Sequence, residues 1–132
     1  MFTQLRHVLF VDDLPAEVDF YQKFGFQILF HEAEFVGLIC GQQILFGLQH
    51  RRGAKFTADQ PVIWQIATDD MEEVYHLSQQ ECIPVLREPE LQSWGEWIMT
   101  VLSPNGYHVV FEGHHRGRIG RIYSAQRGHQ RR

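Results

Sequence analysis

The stretch Trp94–Gly113, WGEWIMTVLSPNGYHVVFEG, predicts two antiparallel strands joined by a tight turn. Its middle, Ser103-Pro104-Asn105-Gly106, has turn composition, because proline presets φ at the second position while Asn and Gly tolerate the positive φ of a short reversal. After the turn, Val109 and Phe111 alternate with other side chains, so the second strand presents two different faces. We expect one face to pack against a helix and the other to line a pocket.

The same strand pattern occurs earlier in the chain. The segment GQQILFG at residues 41–47 aligns with GYHVVFE at 106–112, apolar position against apolar position. A pair of aspartates, Asp12-Asp13 and Asp69-Asp70, opens an amphipathic stretch upstream of each segment. Internal repetition of this kind determines architecture. We therefore expect one unit present twice, each in the order strand, helix, strand, strand, strand.

The predicted fold is of the α+β class, with eight strands and two helices. Two βαβββ modules are expected at about residues 5–49 and 62–113, joined by a linker at 50–61 that is rich in structure breakers. The helices would cover the outer side of a mixed sheet and leave the other side free to curve into a cup. In the second module, a short strand at 84–86 is expected before a charged loop at 87–90.

Both predicted helices have recognisable ends. Asp13 in the first copy and Asp69 or Asp70 in the second are expected N-caps, and Gly25 ends the first helix. The apolar positions that recur at helical spacing are Leu14, Val18, Tyr21 and Phe24 in the first helix and Met71, Val74, Tyr75 and Leu77 in the second. We expect these stripes to face the core.

Composition restricts the class of protein. A chain of 132 residues is long enough for one compact domain without disulfides. Cys40 and Cys82 are expected to be buried thiols in a reducing compartment. The sequence has no apolar run approaching 18 residues and no signal-peptide pattern, which predicts a cytoplasmic protein with no membrane association.

Charge is distributed unevenly. Residues 1–112 contain all 16 acidic residues and six of the 12 basic ones, for a formal charge of −10, whereas residues 113–132 carry +6. The basic segment 114–132 is expected to be a flexible tail that rests on the acidic domain or contacts an acidic partner. Since an acidic body repels phosphate backbones, nucleic acid is not expected as the main ligand.

Four segments resemble the vicinal oxygen chelate superfamily, which includes glyoxalase, the bleomycin resistance proteins and extradiol dioxygenases. In chain order they are HVLFVDDLPAEVDFYQKFGF (7–26), TDDMEEVYHL (68–77), REPELQSWGEW (87–97) and LSPNGYHVVFE (102–112). In that family Asp-Pro-Asp-Gly is usual where residues 103–106 stand here. The resemblance implies paired βαβββ modules that form a cup, and a homodimer that completes two binding crevices.

Metal-dependent members of that family place one ligand, typically His, Gln or Glu, in each of four strands. By the resemblance, the corresponding positions in this chain are Arg6, Leu45, Ile63 and Val110. None of these residues is a usual metal ligand. His7 and Glu112 are the nearest substitutes, but His7 lies one residue from the expected position and Glu112 two residues away. No metal ligand and no catalytic residue is therefore predicted.

The cup remains a concave surface with a few polar groups, as small-molecule sites usually are. The predicted ligand-binding residues are Arg6, Gln65, Trp94, Trp97, His108 and Glu112. Arg6 and Glu112 either pair with each other or contact charged groups of a ligand. Trp94 and Trp97 either stack on an aromatic or planar cationic ligand or belong to the core or the dimer interface.

Three functional hypotheses follow. The first is a binding protein of the bleomycin-resistance type, which sequesters an amphipathic aromatic compound and needs no cofactor. The second is a glyoxalase-type lyase or isomerase, in which one divalent metal ion would polarise vicinal oxygens while Glu112 moves a proton. The third is a dimerisation or regulatory module that uses the basic tail.

Overall fold

The computed structural model describes residues 1–41, 44–54 and 64–114, which belong to two compact units. Among these residues, unit 1 comprises 1–41 and 44–54 together with the turn 103–107, and unit 2 comprises 64–102 and 108–114. Most of the predicted linker and all of the predicted tail except His114 lie outside the described residues.

Unit 1 has the predicted order of elements: β1 (His7–Val11), α1 (Leu14–Lys23), β2 (Gln27–Glu32), β3 (Phe35–Cys40) and β4 (Ile44–His50). The sheet order is β1-β4-β3-β2, with β1 parallel to β4 and the other pairs antiparallel. Side chains alternate between the two sides of the sheet. The side covered by α1 is fully buried at Val36, Leu38, Phe46 and Leu48.

Unit 2 repeats this arrangement with β5 (Trp64–Thr68), α2 (Met71–Gln80), β6 (Val85–Leu91), β7 (Trp97–Leu102) and β8 (His108–Gly113). Its sheet order is β5-β8-β7-β6, with β5 parallel to β8. The α+β class and the duplicated βαβββ module are thus confirmed. Neither α1 nor α2, the helices of the described residues, is long and apolar enough to cross a membrane.

The helix starts are as predicted, with Asp70 rather than Asp69 as the second cap. Asp13 Oδ1 accepts a hydrogen bond from the Ala16 N–H, and Asp70 Oδ1 accepts one from the Glu73 N–H, each at 3.1 Å. These bonds satisfy backbone donors that have no partner inside the helix.

The predicted core stripes are only partly correct. The buried residues of α1 are Leu14, Glu17, Phe20 and Tyr21, and those of α2 are Met71 and Ser78. The other predicted positions, Val18, Phe24, Val74, Tyr75 and Leu77, are half-buried. The prediction erred because it used apolar residues alone, and each helix also buries one polar side chain.

The charged loop predicted at 87–90 is wrong. These residues belong to β6, which pairs with β7 at the edge of the unit 2 sheet. An edge strand accepts charged side chains and a proline such as Pro89, because one side of its backbone needs no partner strand. The register shifts twice along this pair, between Val85 and Arg87 and again between Arg87 and Glu90.

The prediction of buried thiols is wrong for Cys82, which is exposed, while Cys40 is half-buried. Cys82 follows the C-cap residue of α2 and has φ +55°, and Gly25 follows the C-cap of α1 with φ +94°. In both copies, therefore, the residue after the helix C-cap has the left-handed conformation. Glycine adopts that conformation readily, whereas a residue with a Cβ atom is destabilised there by steric contact with its own backbone.

Introducing glycine at the second helix end and replacing glycine at the first are expected to have opposite effects on stability. Cys82→Gly should raise the free energy of unfolding by about 0.5 to 1 kcal/mol, since relief of backbone strain exceeds the added entropy of the unfolded chain. Gly25→Ala should lower it by about 1 kcal/mol, although within the described residues no atom beyond the chain neighbours of Gly25 lies within 4 Å of the new Cβ. Urea titrations of both variants measure these changes. A stabilised Gly25→Ala protein would contradict the assignment.

Candidate functional site

The side of the unit 1 sheet away from α1, here called the open face, exposes several apolar side chains among polar ones. In β1, Val8 and Phe10 are 45% and 43% exposed, whereas Leu9 and Val11 between them are buried. The parallel register places Val8 beside Gly47 and Phe10 beside Gln49 of β4. Apolar side chains thus lie in solvent contact on a sheet whose opposite side is packed, which is a common setting for a binding surface.

Two glycines allow aromatic rings to approach the backbone of the open face closely. The Phe30 ring covers Gly37, where an added Cβ would come within 2.5 Å of the ring, and the Phe35 ring covers Gly47 even more closely. The two rings are stacked, with centroids 5.6 Å apart and planes 15° from parallel. Glycine inside a strand often marks such a close approach. The result is a pair of nearly parallel rings, Phe30 and Phe35, here called the aromatic platform.

The platform adjoins a small recess that includes Arg6, the predicted ligand-binding residue of unit 1. Val8 and Leu45 line the recess together with Phe30 and Phe35. The Arg6 Nε and Nη2 groups donate to Gln4 Oε1 at 3.1 and 2.9 Å, which orients the guanidinium group. Its other N–H groups donate to no described residue. The recess therefore combines an aromatic platform with a cationic hydrogen-bond donor at its margin.

In unit 2, three predicted residues share the side of the sheet away from α2. His108 and Glu112 alternate along β8 with buried Val109 and Phe111, and they point to the opposite side from these two. The parallel register of β5 and β8 places Gln65 beside Val110, on the same side. The structure thus brings Gln65, His108 and Glu112 onto one polar face.

The two tryptophans occupy different environments. Trp94 is 56% exposed in the turn before β7. Trp97 is half-buried and alternates in phase with Met99 and Val101, which are fully buried. Because Ile98, and not Trp97, is the register partner of Glu112, Trp97 lies on the side opposite the polar face of unit 2. Of the two side chains, Trp94 is the more exposed.

The residues present do not fit a metal ion of the kind that the resemblance implies. Of the four corresponding positions, Arg6, Leu45 and Val110 lack a metal-binding donor, and Ile63 lies outside the described residues. His7 pairs in register with Phe46, so it lies on the α1 side of the sheet rather than the open face. Within residues 1–41, 44–54 and 64–114, no group of three or more His, Cys, Asp or Glu side chains is arranged to hold a metal ion.

A buried polar cluster in unit 1 was missed by the sequence interpretation. Asn105 Oδ1 accepts from the Asp13 N–H at 2.8 Å, and Asn105 Nδ2 donates to the Asp13 carbonyl and to Glu17 Oε1, each at 2.9 Å. The Asn105 N–H donates to the same Glu17 oxygen at 3.1 Å. The turn 103–107 is thereby fastened to the first turn of α1. A sequence signal existed, since Glu17 lies within the apolar stripe of the helix.

Burial affects the acid–base properties of this cluster. Loss of hydration raises the pKa of Glu17 above 4.5, although hydrogen bonds from Asn105 and Ser103 lower it in part. Burial likewise raises the pKa of Tyr21 well above 10.0, and the nearby Glu17 carboxylate adds to that rise. Glu17 is completely buried and holds Asn105 through Oε1, so this carboxyl group connects the turn to α1 and does not contact a ligand on the open face.

Solved structures with the same fold include a resistance determinant, a binding protein and an enzyme. The bleomycin resistance determinant encoded on transposon Tn5 has a TM-score of 0.70 at 22% identity, covering 85% of this chain and 98% of that one. A bleomycin-binding protein complexed with bleomycin scores 0.65 at 22% identity, with the same coverage. Lactoylglutathione lyase from Agrobacterium tumefaciens scores 0.65 at 21% identity and covers 84% and 92%.

Sequence comparison establishes the family but not a specific activity. No curated protein is significantly similar to the chain in sequence. The model of the Glyoxalase/Bleomycin resistance protein/Dioxygenase superfamily matches residues 4–111, and this agrees with the duplicated βαβββ topology described above. The chain therefore belongs to the glyoxalase/bleomycin resistance protein/dioxygenase superfamily.

Proposed function

We propose that the protein binds a planar, amphipathic aromatic small molecule without a metal ion, on the open face of unit 1 around the recess that contains Arg6. The recess itself has a volume of about 20 Å³, so it admits only an edge group of such a ligand. The observation that carries this proposal is the stacked Phe30–Phe35 platform, laid over Gly37 and Gly47 beside the Arg6 guanidinium group. The bleomycin-binding protein of the same fold supports binding as the function. Sequestration of an antibiotic of that type would confer resistance.

The chemistry of the recess defines the ligand class. A flat ring gains most by stacking on another flat ring, by about 0.5 to 1.5 kcal/mol beyond the area that it buries. The guanidinium group of Arg6 offers donors in a planar fork that matches carboxylate and similar acceptor groups. A suitable ligand therefore has an aromatic body and an acidic or strongly accepting group at its edge.

The polar face of unit 2 is proposed as a second contact region. Glu112 would accept hydrogen bonds from polar groups of a ligand. His108 would accept or donate them, Gln65 would do both, and Trp94 would stack on an aromatic part. The recess of unit 1 and the polar face of unit 2 are testable separately, because they share no residue. The metal-dependent lyase hypothesis gains no support from the side chains described above.

We further propose that the binder is a cytoplasmic homodimer. The free thiols of Cys40 and Cys82 suit a reducing compartment. β1 lies at the edge of the unit 1 sheet, and the residues before it include the exposed side chains of Met1, Phe2 and Leu5. Apolar surface next to an edge strand favours contact with a second chain.

Calorimetric titration of the protein with bleomycin and with 2-naphthoate tests the proposed function. Saturable binding of at least one ligand is expected. Phe35→Leu, which keeps an apolar side chain but removes the flat ring, should weaken binding about fivefold to tenfold, or about 1 to 1.4 kcal/mol. Arg6→Gln should weaken binding of the naphthoate by a similar factor, because its carboxylate loses a charged partner.

Arg87→Gln is the matched control for Arg6→Gln. Arg87 is an exposed arginine of unit 2 and is not part of the recess. Its Nε atom lies 3.7 Å from Glu90 Oε2. Its replacement should leave the affinity unchanged. Absence of heat with both ligands, or equal losses in Arg6→Gln and Arg87→Gln, would argue against this site.

A further inference from the structure

A second cavity lies on the α1 side of the unit 1 sheet. It has a volume of about 540 Å³ and opens between the first half of α1 and the strands β2 and β3. Leu14 and Val18 form the helix wall, and Ile28 and Val36 form the sheet wall. Val36 pairs in register with His31, and both point away from the open face. The cavity is therefore separate from the recess that contains Arg6.

One end of this cavity is polar. His31, Glu34 and His50 lie there, and His50 Nδ1 is 3.4 Å from Glu34 Oε1. The Glu34 side chain is 67% exposed, so its carboxylate is accessible from the cavity mouth. Of the lining side chains in the described part of the chain, Glu34 is the one carboxylate. The cavity thus has an apolar body and an anionic end.

The Glu34 backbone is held in place by β4. Its carbonyl oxygen accepts from the His50 N–H at 2.8 Å and from Gln49 Nε2 at 3.3 Å. The preceding residue, Ala33, has φ +48°, a conformation that alanine rarely adopts. Strained backbone of this kind persists where the surroundings enforce it, often beside ligand sites. The anionic end is consequently a fixed feature of the hairpin between β2 and β3.

We propose that this cavity binds a small amphipathic amine, with its hydrocarbon chain between α1 and the sheet and its ammonium group on Glu34. The volume lies within the range of small-molecule sites. Each methylene group that enters the apolar part should strengthen binding about fourfold. The ammonium group has three donors, and the acceptors are the Glu34 carboxylate and the imidazole nitrogens of His31 and His50.

Three ligands with the same six-carbon chain test the charge preference: hexylamine, hexanol and hexanoate. Each is titrated into the full-length protein at pH 7.5, and the methyl signals of Leu14, Val18, Ile28 and Val36 are followed by NMR. Hexylamine should bind about fivefold more tightly than hexanol, and hexanoate should bind most weakly. Glu34→Gln should remove the difference between hexylamine and hexanol. Because the Glu34 side chain is largely exposed, this variant should fold normally.

Glu32→Gln provides the matched control. Glu32 is an exposed carboxylate two residues away that pairs in register with Phe35 of the open face, and its loss should leave the hexylamine affinity unchanged. Val18→Trp places a large side chain of α1 in the cavity and should lower the affinity for all three ligands more than tenfold. Arg6→Gln, which changes the recess of the open face, should leave the hexylamine affinity of this cavity unchanged.

The proposal is overturned by absence of saturable shifts, by equal affinity for the three ligands, or by tighter binding of hexanoate. It also fails if Glu32→Gln or Arg6→Gln weakens hexylamine binding as much as Glu34→Gln does. Loss of hexylamine binding in Arg6→Gln would place the amine in the recess of the open face and would leave the proposed aromatic binding function untouched.

Discussion

Replacing Asn105 by alanine is expected to lower the free energy of unfolding by about 3 to 5 kcal/mol. The change removes three side-chain hydrogen bonds, two with the backbone of Asp13 and one with the Glu17 carboxylate. A neutral hydrogen bond contributes about 1 kcal/mol and one to a charged group about 1.5 to 3 kcal/mol. The sum is large because Glu17 is completely buried and water cannot replace the lost donor.

The loss should depend on pH in a defined direction. The pKa of Glu17 is raised in the folded state by burial, so its protonated form favours folding. That contribution is fully present below 4.5 and is lost as pH rises through the folded pKa. Asn105 stabilises the charged form and so limits the rise in pKa. The difference between wild type and Asn105→Ala should therefore be largest at neutral pH and shrink as the solution is acidified.

Guanidinium titrations at pH 7.5 and pH 4 measure both effects. Pro104→Ala changes the exposed neighbouring position of the same turn and should cost less than 1 kcal/mol. Asn105→Asp keeps the shape but places a second carboxylate beside Glu17, so its loss at neutral pH should equal or exceed that of the alanine variant. A pH-independent loss in Asn105→Ala would show that Glu17 is not the partner that matters.

The fold was predictable because its signals are local and repeated. The aspartates at the helix starts and the glycine in the turn each act on neighbours within four residues. The aspartate pair recurs 57 residues later, at Asp69-Asp70, and this repetition indicated two copies of one module. The error at β6 has the same origin. Charge and proline resemble a loop locally, and only pairing with β7 shows that they form an edge strand.

The buried cluster was not predictable, because its partners are far apart in the chain. Asn105 contacts Asp13 across 92 positions and Glu17 across 88. The turn interpretation assigned Asn105 a tolerance for positive φ, yet among the described residues only Gly106 of this turn has it, at +88°. The asparagine is required for its side-chain amide, which both donates and accepts.

The candidate site shows the same division between local and long-range information. Strand alternation correctly placed His108 and Glu112 on one side of β8, since period two is local. It could not show that Phe30 and Phe35 lie on Gly37 and Gly47, because these contacts join three strands. Neither phenylalanine was among the predicted ligand-binding residues. Glycine inside a strand was the available signal for that platform.

Gly113→Ala is expected to cost about 3 kcal/mol or more. Gly113 ends β8 and pairs in register with Thr68 of β5. An added Cβ would collide with the Thr68 carbonyl oxygen, and the φ of +154° is one that residues with side chains seldom adopt. The colliding atom belongs to the backbone, so no side-chain rotation relieves the contact. Overpacking of this kind costs about 1 to 3 kcal/mol, and the backbone conformation adds to it.

Neighbouring hydrogen bonds leave little freedom for the strands to separate. The Met71 N–H donates to the His114 carbonyl at 2.7 Å, and the Asp70 N–H donates to Thr68 Oγ1 at 3.1 Å, so both strand ends are tied to the start of α2. Gly25→Ala is the control for replacing a left-handed glycine without a collision. If Gly113→Ala loses no more stability than Gly25→Ala in urea titrations, the β5–β8 strand ends adapt more freely than their packing indicates. If it loses the expected amount, faster amide hydrogen exchange at Thr68 and Glu112 should show that the parallel pair opens first.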